Sequence, residues 1–392
     1  MSKIKVVEVI TDTNIGGAGV LLCTRLKYSD RTKFETEVIL PRGSELCVRL
    51  RAMGIQTHEI DACRDRSFEL LAIPKYITLF RRIRPELVNC HGALSARIAA
   101  KICGVRVRFY TRHCVYPLPA WQRREIGKFF VGKGQGILST HMIAVAHSAK
   151  DNLTEMGVSP SKVSVVINGV EPLRTVSDEE KQELRASLGI SEENTVIGIC
   201  ARLEACKGHS CLLDAAERLI HHDQNYRFLI VGDGSLRKEL ENRCVTKGMA
   251  SYVIFAGFCE DVAPYFHLMK LNVNCSVGTE TSSLALSEGM SIGLPSVVSD
   301  YGGNTYMVRE GENGIVVPQN SPQELADAIL RVCGDDALYE RLSRGARERF
   351  LTELNAQAMT KKTEKLYCEL FRKEVSKESK SEYRGGDRKV NE

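Results

Sequence analysis

The chain has 392 residues, 43% of them hydrophobic and 26% charged, with a formal net charge of +5. That length exceeds what one ordinary core absorbs and predicts two domains of about 150 to 200 residues each. The composition is globular, and no stretch approaches the roughly 18 consecutive apolar residues of a spanning helix, so a chain that crosses a bilayer is not expected.

At the N-terminus, Met1 to Ile10 carries two lysines, but Glu8 breaks its apolar run and a glycine-rich turn follows. It reads as a strand rather than a secretory signal, and a cytoplasmic protein is expected. Short β-branched runs then alternate with helical stretches. Strands are predicted near Lys5–Ile10, Thr36–Leu40, Gln56–Ile60, Leu87–Cys90, Arg106–Tyr110 and Met142–Ala146, and apolar residues recur at helical spacing in Phe68–Arg84 and Ser95–Cys103. The junction falls between Ile167 and Ser177, where Asn168-Gly169 signals a turn, Pro172 interrupts regular structure and Ser177-x-x-Glu180 forms a capping box. The second half repeats the scheme with strands at Thr195–Cys200, Arg227–Val231, Val253–Phe255, Leu271–Cys275, Ser296–Ser299 and Gly314–Val317. Ser321-Pro322-Gln323-Glu324 opens helices that run to about Phe350 and then from about Thr352 to Arg372. Lys373 to Glu392 holds almost no apolar residue and is predicted to be disordered.

Strand and helix in alternation predict an α/β fold: two doubly wound parallel-sheet, Rossmann-like domains facing across a cleft. The expected bounds are 1–170 and 171–350, with a helix over 351–372 packing back on the first domain and a tail over 373–392. Fourteen scattered cysteines without Cys-x-x-Cys spacing predict reduced thiols. Cys90-His91 and His221-His222 lack a second ligand pair, so no metal site is predicted. Residues 1 to 170 carry a net charge of +12 and the remainder −7. The excess is sharpest from Lys101 to Lys150, where Glu125 is the one acid. Such a face fits an anionic partner, a lipid surface or a phosphorylated acceptor, or is a solvated basic face. Without a recognition helix or stacking platform, nucleic acid is not expected.

Ligands of open parallel sheets bind beyond the carboxyl ends of the strands. Gly16 and Gly17 follow the first strand and form either a ligand loop or a plain tight turn; Leu22 replaces the third glycine of a dinucleotide fingerprint, which disfavours NAD. In the second half, Arg202 and Lys207 lie between a strand and a helix, placing a planar fork and a mobile ammonium where phosphate oxygens would sit. Glu280 and Glu288 bracket another helix start. They would be about 12 Å apart if both were helical, enough to grip two parts of one extended ligand. Between them the amides of Ser283 and Leu284 would face a diphosphate. Alone, two glutamates on a helix are more simply a solvated face.

Arg-x4-Lys-Gly, Glu-x7-Glu, Gly293-Leu294-Pro295 and Asp300-Tyr301-Gly302-Gly303, in that order, resemble the GT-B glycosyltransferases, and within them the retaining family 4, or glycosyl transferases group 1. The resemblance is strongest over Val196 to Pro318 and extends to Gly16-Gly17, His91, His113 and Asn168-Gly169-Val170. It implies a donor site of Gly16, Gly17, Arg202, Lys207, Glu280, Ser283, Leu284 and Glu288. Arg202 and Lys207 would bind the diphosphate and stabilise it as it leaves, Glu288 would accept from the ribose hydroxyls, and Glu280 would hold a hydroxyl of the donor sugar. His113 would face that sugar, with a satisfied histidine at a strand end as the plain alternative, and His91 and Arg112 would lie on the acceptor side. The family pattern often has a small residue and an aromatic after its first glutamate; here Thr281-Ser282 stand there, able to pair with donor hydroxyls or to cap the helix.

The resemblance further implies transfer from a nucleotide-diphosphate sugar, UDP-sugar favoured, with retention and no metal cofactor. The basic first half points to an anionic or lipid-linked acceptor at a membrane surface, as in envelope polysaccharide or glycolipid synthesis. The alternatives are a sugar-nucleotide epimerase and a nucleotide-sugar-binding subunit without activity. Sequence does not set the oligomeric state.

Overall fold

β-Branched runs buried on both faces build two parallel sheets. The structure, a computed structural model, describes residues 3–278 and 280–386, with side chains through residue 376. The first sheet comprises β1 (Ile4–Ile10), β2 (Phe34–Pro41), β3 (Gln56–Ile60), β4 (Leu87–His91), β5 (Val107–Arg112), β6 (His141–Ala144) and β7 (Val163–Val165), in the order β3-β2-β1-β4-β5-β6-β7. In its centre Val9 of β1 pairs with Ile39 on one side and Cys90 on the other, all three nearly solvent-free. The second sheet comprises β8 (Thr195–Cys200), β9 (Tyr226–Val231), β10 (Val253–Gly257), β11 (Leu271–Asn274), β12 (Ser296–Ser299) and β13 (Gly314–Val317), in the order β10-β9-β8-β11-β12-β13. Strand order reverses between β1 and β4, and again between β8 and β11. Those two switch points are where such sheets bind ligands.

Each sheet anchors one unit, Met1–Asn168 with Ala356–Glu392, and Gly169–Asn355. The second unit therefore starts earlier and ends later than the expected 171–350. Its ends are tied together, since the Val170 amide donates to the Leu354 carbonyl at 3.0 Å. The C-terminal helix Ala356–Gly386 belongs to the first unit. There the buried Tyr367 ring lies 4.8 Å from that of Phe109, and the Glu364 carboxylate accepts from the hydroxyl of Ser29 and the amide of Asp30. The helix runs through 373–386, which the sequence predicts to be disordered. Lys, Glu and Arg are good helix formers, and propensity carries a helix past the end of its apolar face. The rest of the expected tail, 387–392, lies outside the described residues.

Two further differences concern local signals. β7 has three residues, too few for a period to show. The helix Glu125–Leu138 has an apolar pattern that does not point inward, as described below. None of the fourteen cysteines, all among the described residues, forms a disulfide. Among the described residues no helix is long and apolar enough to cross a membrane.

Candidate functional site

In the second unit, the loops that leave β8, β9 and β11 are pressed together by glycines. A Cβ on Gly208, which has a φ of +70°, would lie 2.0 Å from the Cys275 carbonyl at the end of β11. One on Gly232, at a φ of +135°, would lie 2.1 Å from that of Ala201. Only a residue without a side chain permits either approach. The loop after β8 is pinned by the fully buried Leu203, whose amide donates to the Asp233 carbonyl at 3.0 Å. Arg202, next to it, is exposed.

Lys207 and Glu280 meet. The Lys207 ammonium donates to Oε2 of Glu280 at 2.7 Å, and the same oxygen accepts from the hydroxyl of Ser276 at 2.9 Å and the amide of Asn274 at 3.3 Å. Glu280 is 6% exposed, so a carboxylate here needs those donors. The family resemblance implies a diphosphate for the lysine and a sugar hydroxyl for the glutamate; the structure first gives them to each other. An ammonium has three donors, so this bond leaves Lys207 able to reach an anion as well. The Asp300-Tyr301-Gly302-Gly303 turn braces the loop. The Gly303 amide donates to the Glu280 carbonyl at 3.2 Å, and a Cβ on Gly303 would lie 1.6 Å from the Thr281 carbonyl.

Beyond this loop the helix Leu284–Ser291 begins, capped by the Ser283 hydroxyl, which accepts from the Leu286 amide. Ser283, not Thr281 or Ser282, thus does the capping. The Ser282 hydroxyl is buried with no hydrogen-bond partner among the described residues. The Ser283 and Leu284 amides likewise have no acceptor among those residues, as expected at a helix start. Glu288 is the fifth helical residue and half-buried, and burial pushes its carboxyl up to about 7. No donor among the described residues reaches it. The thiol of Cys200, at the end of β8, is raised to about 12 by its own burial and then by the Glu288 charge.

The first unit carries a second polar cluster at its own switch point. Glu8, in the middle of β1, is solvent-free. Its Oε1 accepts from Arg25 and from the Tyr367 hydroxyl at 3.0 Å, and its Oε2 from Asn89 at 2.9 Å and His91 Nε2 at 2.9 Å. Burial would raise this carboxyl, but Arg25 and the hydrogen bonds of His91 and Tyr367 outweigh it and hold it at about 2. His91 Nδ1 lies 2.7 Å from Nε2 of His113, and the two rings stack at 5.0 Å. Burial, then the neighbouring His91, lowers His113 to about 3, so it is neutral at physiological pH.

The two expected acceptor-side residues have partners inside the first unit. His91 is buried and spends both ring nitrogens within the first unit. Arg112 is also buried, donating to the Tyr110 hydroxyl at 3.0 Å and to Asn152 at 2.5 Å under the Tyr116 ring. In this arrangement both brace the first unit, and His91 also lines a cavity beside His113. Gly16 and Gly17 have another standing. Gly16 has an ordinary φ of −85°, and a Cβ on Gly17 would meet nothing within 4 Å, so this chain's own packing does not require glycine there. Glu8, Arg25, Asn89 and Tyr367 were not foreseen as a cluster. The available signal was Glu8 itself, a carboxylate inside Val-Val-Glu-Val-Ile.

Comparison with known proteins agrees with both halves. Residues 15–174 match the family model Glycosyltransferase Family 4, and residues 194–335 match Glycosyl transferases group 1. The UDP-Gal:alpha-D-GlcNAc-diphosphoundecaprenol alpha-1,3-galactosyltransferase of Escherichia coli is 24% identical over 94% of this chain and 98% of its own length. The D-inositol 3-phosphate glycosyltransferase of Jonesia denitrificans is 30% identical over 58% of this chain and 56% of its own. Among solved structures, a glycosyltransferase from Rickettsia africae superposes with a TM-score of 0.81 at 18% identity, covering 94% of this chain and 99% of the other. Anabaena Alr3699/HepE, solved with UDP and glucose, gives 0.78 at 20% identity over 93% and 99%. Two family models in tandem, the motif order and two parallel-sheet units agree: the chain is a glycosyltransferase of family 4, group 1, with the GT-B fold.

Proposed function

We propose that this glycosyltransferase moves a sugar from a UDP-sugar, with retention at the anomeric carbon, onto a lipid-linked acceptor in envelope polysaccharide or glycolipid synthesis. The observation that carries the reading is Glu288, a half-buried carboxyl with no donor among the described residues, one turn inside a helix whose first amides also lack partners among them. A carboxylate can only accept, and a ribose diol offers it two donors. The helix start and the cations Arg202 and Lys207 suit a diphosphate, and the orphaned Ser282 hydroxyl suits a sugar hydroxyl. The charge that develops on the leaving group is met by groups already in place, so no divalent ion is required.

In the proposed reaction the bond from the anomeric carbon to the diphosphate oxygen breaks, and a bond to the acceptor oxygen forms on the same face. The acceptor's proton passes to the departing phosphate. The UDP in the Anabaena complex and the UDP-Gal and diphosphoundecaprenol in the name of the Escherichia coli relative support the donor and acceptor classes. So does the net charge of +12 on residues 1 to 170.

The test incubates the protein with UDP-sugars and a polyprenyl-diphosphate-linked sugar and determines the anomeric configuration of the product by NMR. An α-linked product from an α-configured donor is expected. An inverted linkage removes retention, and an epimerised nucleotide sugar formed without acceptor replaces transfer with epimerisation.

A further inference from the structure

The helix Glu125–Leu138 is folded with its large apolar side chains outward. Ile126, Phe129, Phe130 and Ile137 are 74%, 61%, 66% and 49% exposed. With Lys133, their spacing of three, four, seven and eleven residues puts them on one helical face. The inner face is made of small residues. Gly132 packs so closely on the Gly157 turn that a Cβ would lie 2.0 Å from the Gly157 carbonyl, and Gly127 approaches the Trp121 carbonyl equally closely. Val131 supplies the inner apolar contact. A surface helix ordinarily buries its apolar stripe in the core. Here the stripe contributes nothing to the core, and six of the fifteen exposed large hydrophobic side chains described fall within residues 116–137.

Charge frames the stripe with one sign. Arg123, Arg124, Lys128 and Lys133 lie in or beside the helix, and Glu125, already paired with Lys128 at 2.9 Å, is the one acid between Lys101 and Lys150. The Lys133 ammonium sits 5.5 Å from the centre of the Phe129 ring. Trp121, at the head of the patch, is 56% exposed and is the chain's one tryptophan. Aromatic and aliphatic side chains on one face, rimmed by cations, match the boundary between acyl chains and anionic head groups.

We propose that this helix docks the protein on an anionic lipid bilayer, with Phe129, Phe130 and Trp121 entering the head-group boundary and Arg123, Arg124, Lys128 and Lys133 meeting lipid phosphates. The surface would hold the transferase where a lipid-linked acceptor resides. Only that purpose rests on the proposed acceptor; the docking itself rests on the helix.

Trp121 makes the test direct. The intact chain is mixed with vesicles of phosphatidylglycerol and phosphatidylcholine, or of phosphatidylcholine alone, while tryptophan emission and co-flotation are followed. Anionic vesicles are expected to shift Trp121 emission to the blue, brominated acyl chains to quench it, and high salt to reverse both. F129S/F130S and K128E/K133E each weaken partitioning by about tenfold or more, with thermal stability and UDP-induced stabilisation unchanged. Unaltered Trp121 emission on anionic vesicles overturns the proposal, as does flotation undiminished in F129S/F130S. So does a patch-dependent dimer in sedimentation without vesicle binding. Vesicle binding in a protein that no UDP-sugar stabilises leaves the docking surface standing and removes the donor assignment.

Discussion

Nδ1 of His91 lies 2.7 Å from Nε2 of His113, while the opposite nitrogen of His91 lies 2.9 Å from the Glu8 carboxylate. A carboxylate held near 2 only accepts, so His91 Nε2 carries a hydrogen, and the chain of contacts fixes the orientation of both rings.

Glu8 should therefore make the first unit sensitive to acid. Its folded pKa is depressed from 4.5 to about 2, so its stabilisation is present above 4.5 and disappears as pH falls toward 2. That shift corresponds to about 3 kcal/mol. Glu8→Gln also leaves the buried Arg25 charge without its counter-ion, a defect that costs about 3–5 kcal/mol. Urea unfolding at pH 7 and at pH 3 should show a large gap between wild type and Glu8→Gln that narrows in acid. A gap independent of pH would mean the carboxylate is not charged in the native state.

The Lys207–Glu280 pair predicts a split between folding and turnover. Lys207→Met removes one of three donors to Glu280 Oε2 but leaves Ser276 and Asn274 in place. The fold should survive, with a cost of about 1–3 kcal/mol. Turnover should fall by about 100-fold or more if the ammonium also meets the leaving diphosphate. Steady-state kinetics beside thermal unfolding separates the two, and near-normal turnover would confine Lys207 to bracing Glu280.

Glu288 predicts the opposite pattern. Its pKa is raised to about 7, so whatever favours its neutral form is fully present below 4.5 and is lost as pH rises through 7. Glu288→Gln should then be more stable than wild type at pH 8, by about 1–3 kcal/mol, and equal to it near pH 4.5. Differential scanning calorimetry at the two pH values reads this. A variant less stable at pH 8 would mean that the carboxylate has partners in the folded protein.

Two glycines should behave differently. A Cβ on Gly303 would lie 1.6 Å from the Thr281 carbonyl, so Gly303→Ala must move the loop that holds Glu280. It should cost about 1–3 kcal/mol and weaken donor binding. Gly17→Ala meets nothing within 4 Å and should fold like the wild type. A raised KM for the donor in Gly17→Ala, without loss of stability, would assign the loop to ligand approach; an unchanged KM would make it a plain turn.

Most of both sheets was legible because parallel strands buried on two faces are continuous β-branched runs, as in Val196 to Cys200. The placement of Arg202, Lys207, Glu280 and Glu288 was legible too, because they sit at loop and helix starts fixed by local sequence. What was hidden depends on distance along the chain. The internal partners of His91 and Arg112 were hidden because nothing near them in sequence announces Glu8, 83 residues from His91, or Asn152, 40 residues from Arg112. Tyr367 reaches Glu8 across 359 residues. The helix Glu125–Leu138 escaped for another reason. Its glycine-rich inner face and apolar outer face invert the pattern by which buried helices are recognised.

Calorimetric titration of UDP-glucose into wild type and Glu288→Gln, with and without EDTA, across pH 6 to 8.5, about the range over which a carboxyl near 7 titrates, tests the donor site most directly. Ribose hydroxyls that donate to Glu288 favour its ionised form, so wild-type affinity should rise as pH passes 7 and then level off. EDTA should leave it unchanged, and Glu288→Gln should bind weakly at every pH. Equal affinity in the variant, or binding that vanishes with EDTA, would contradict the account.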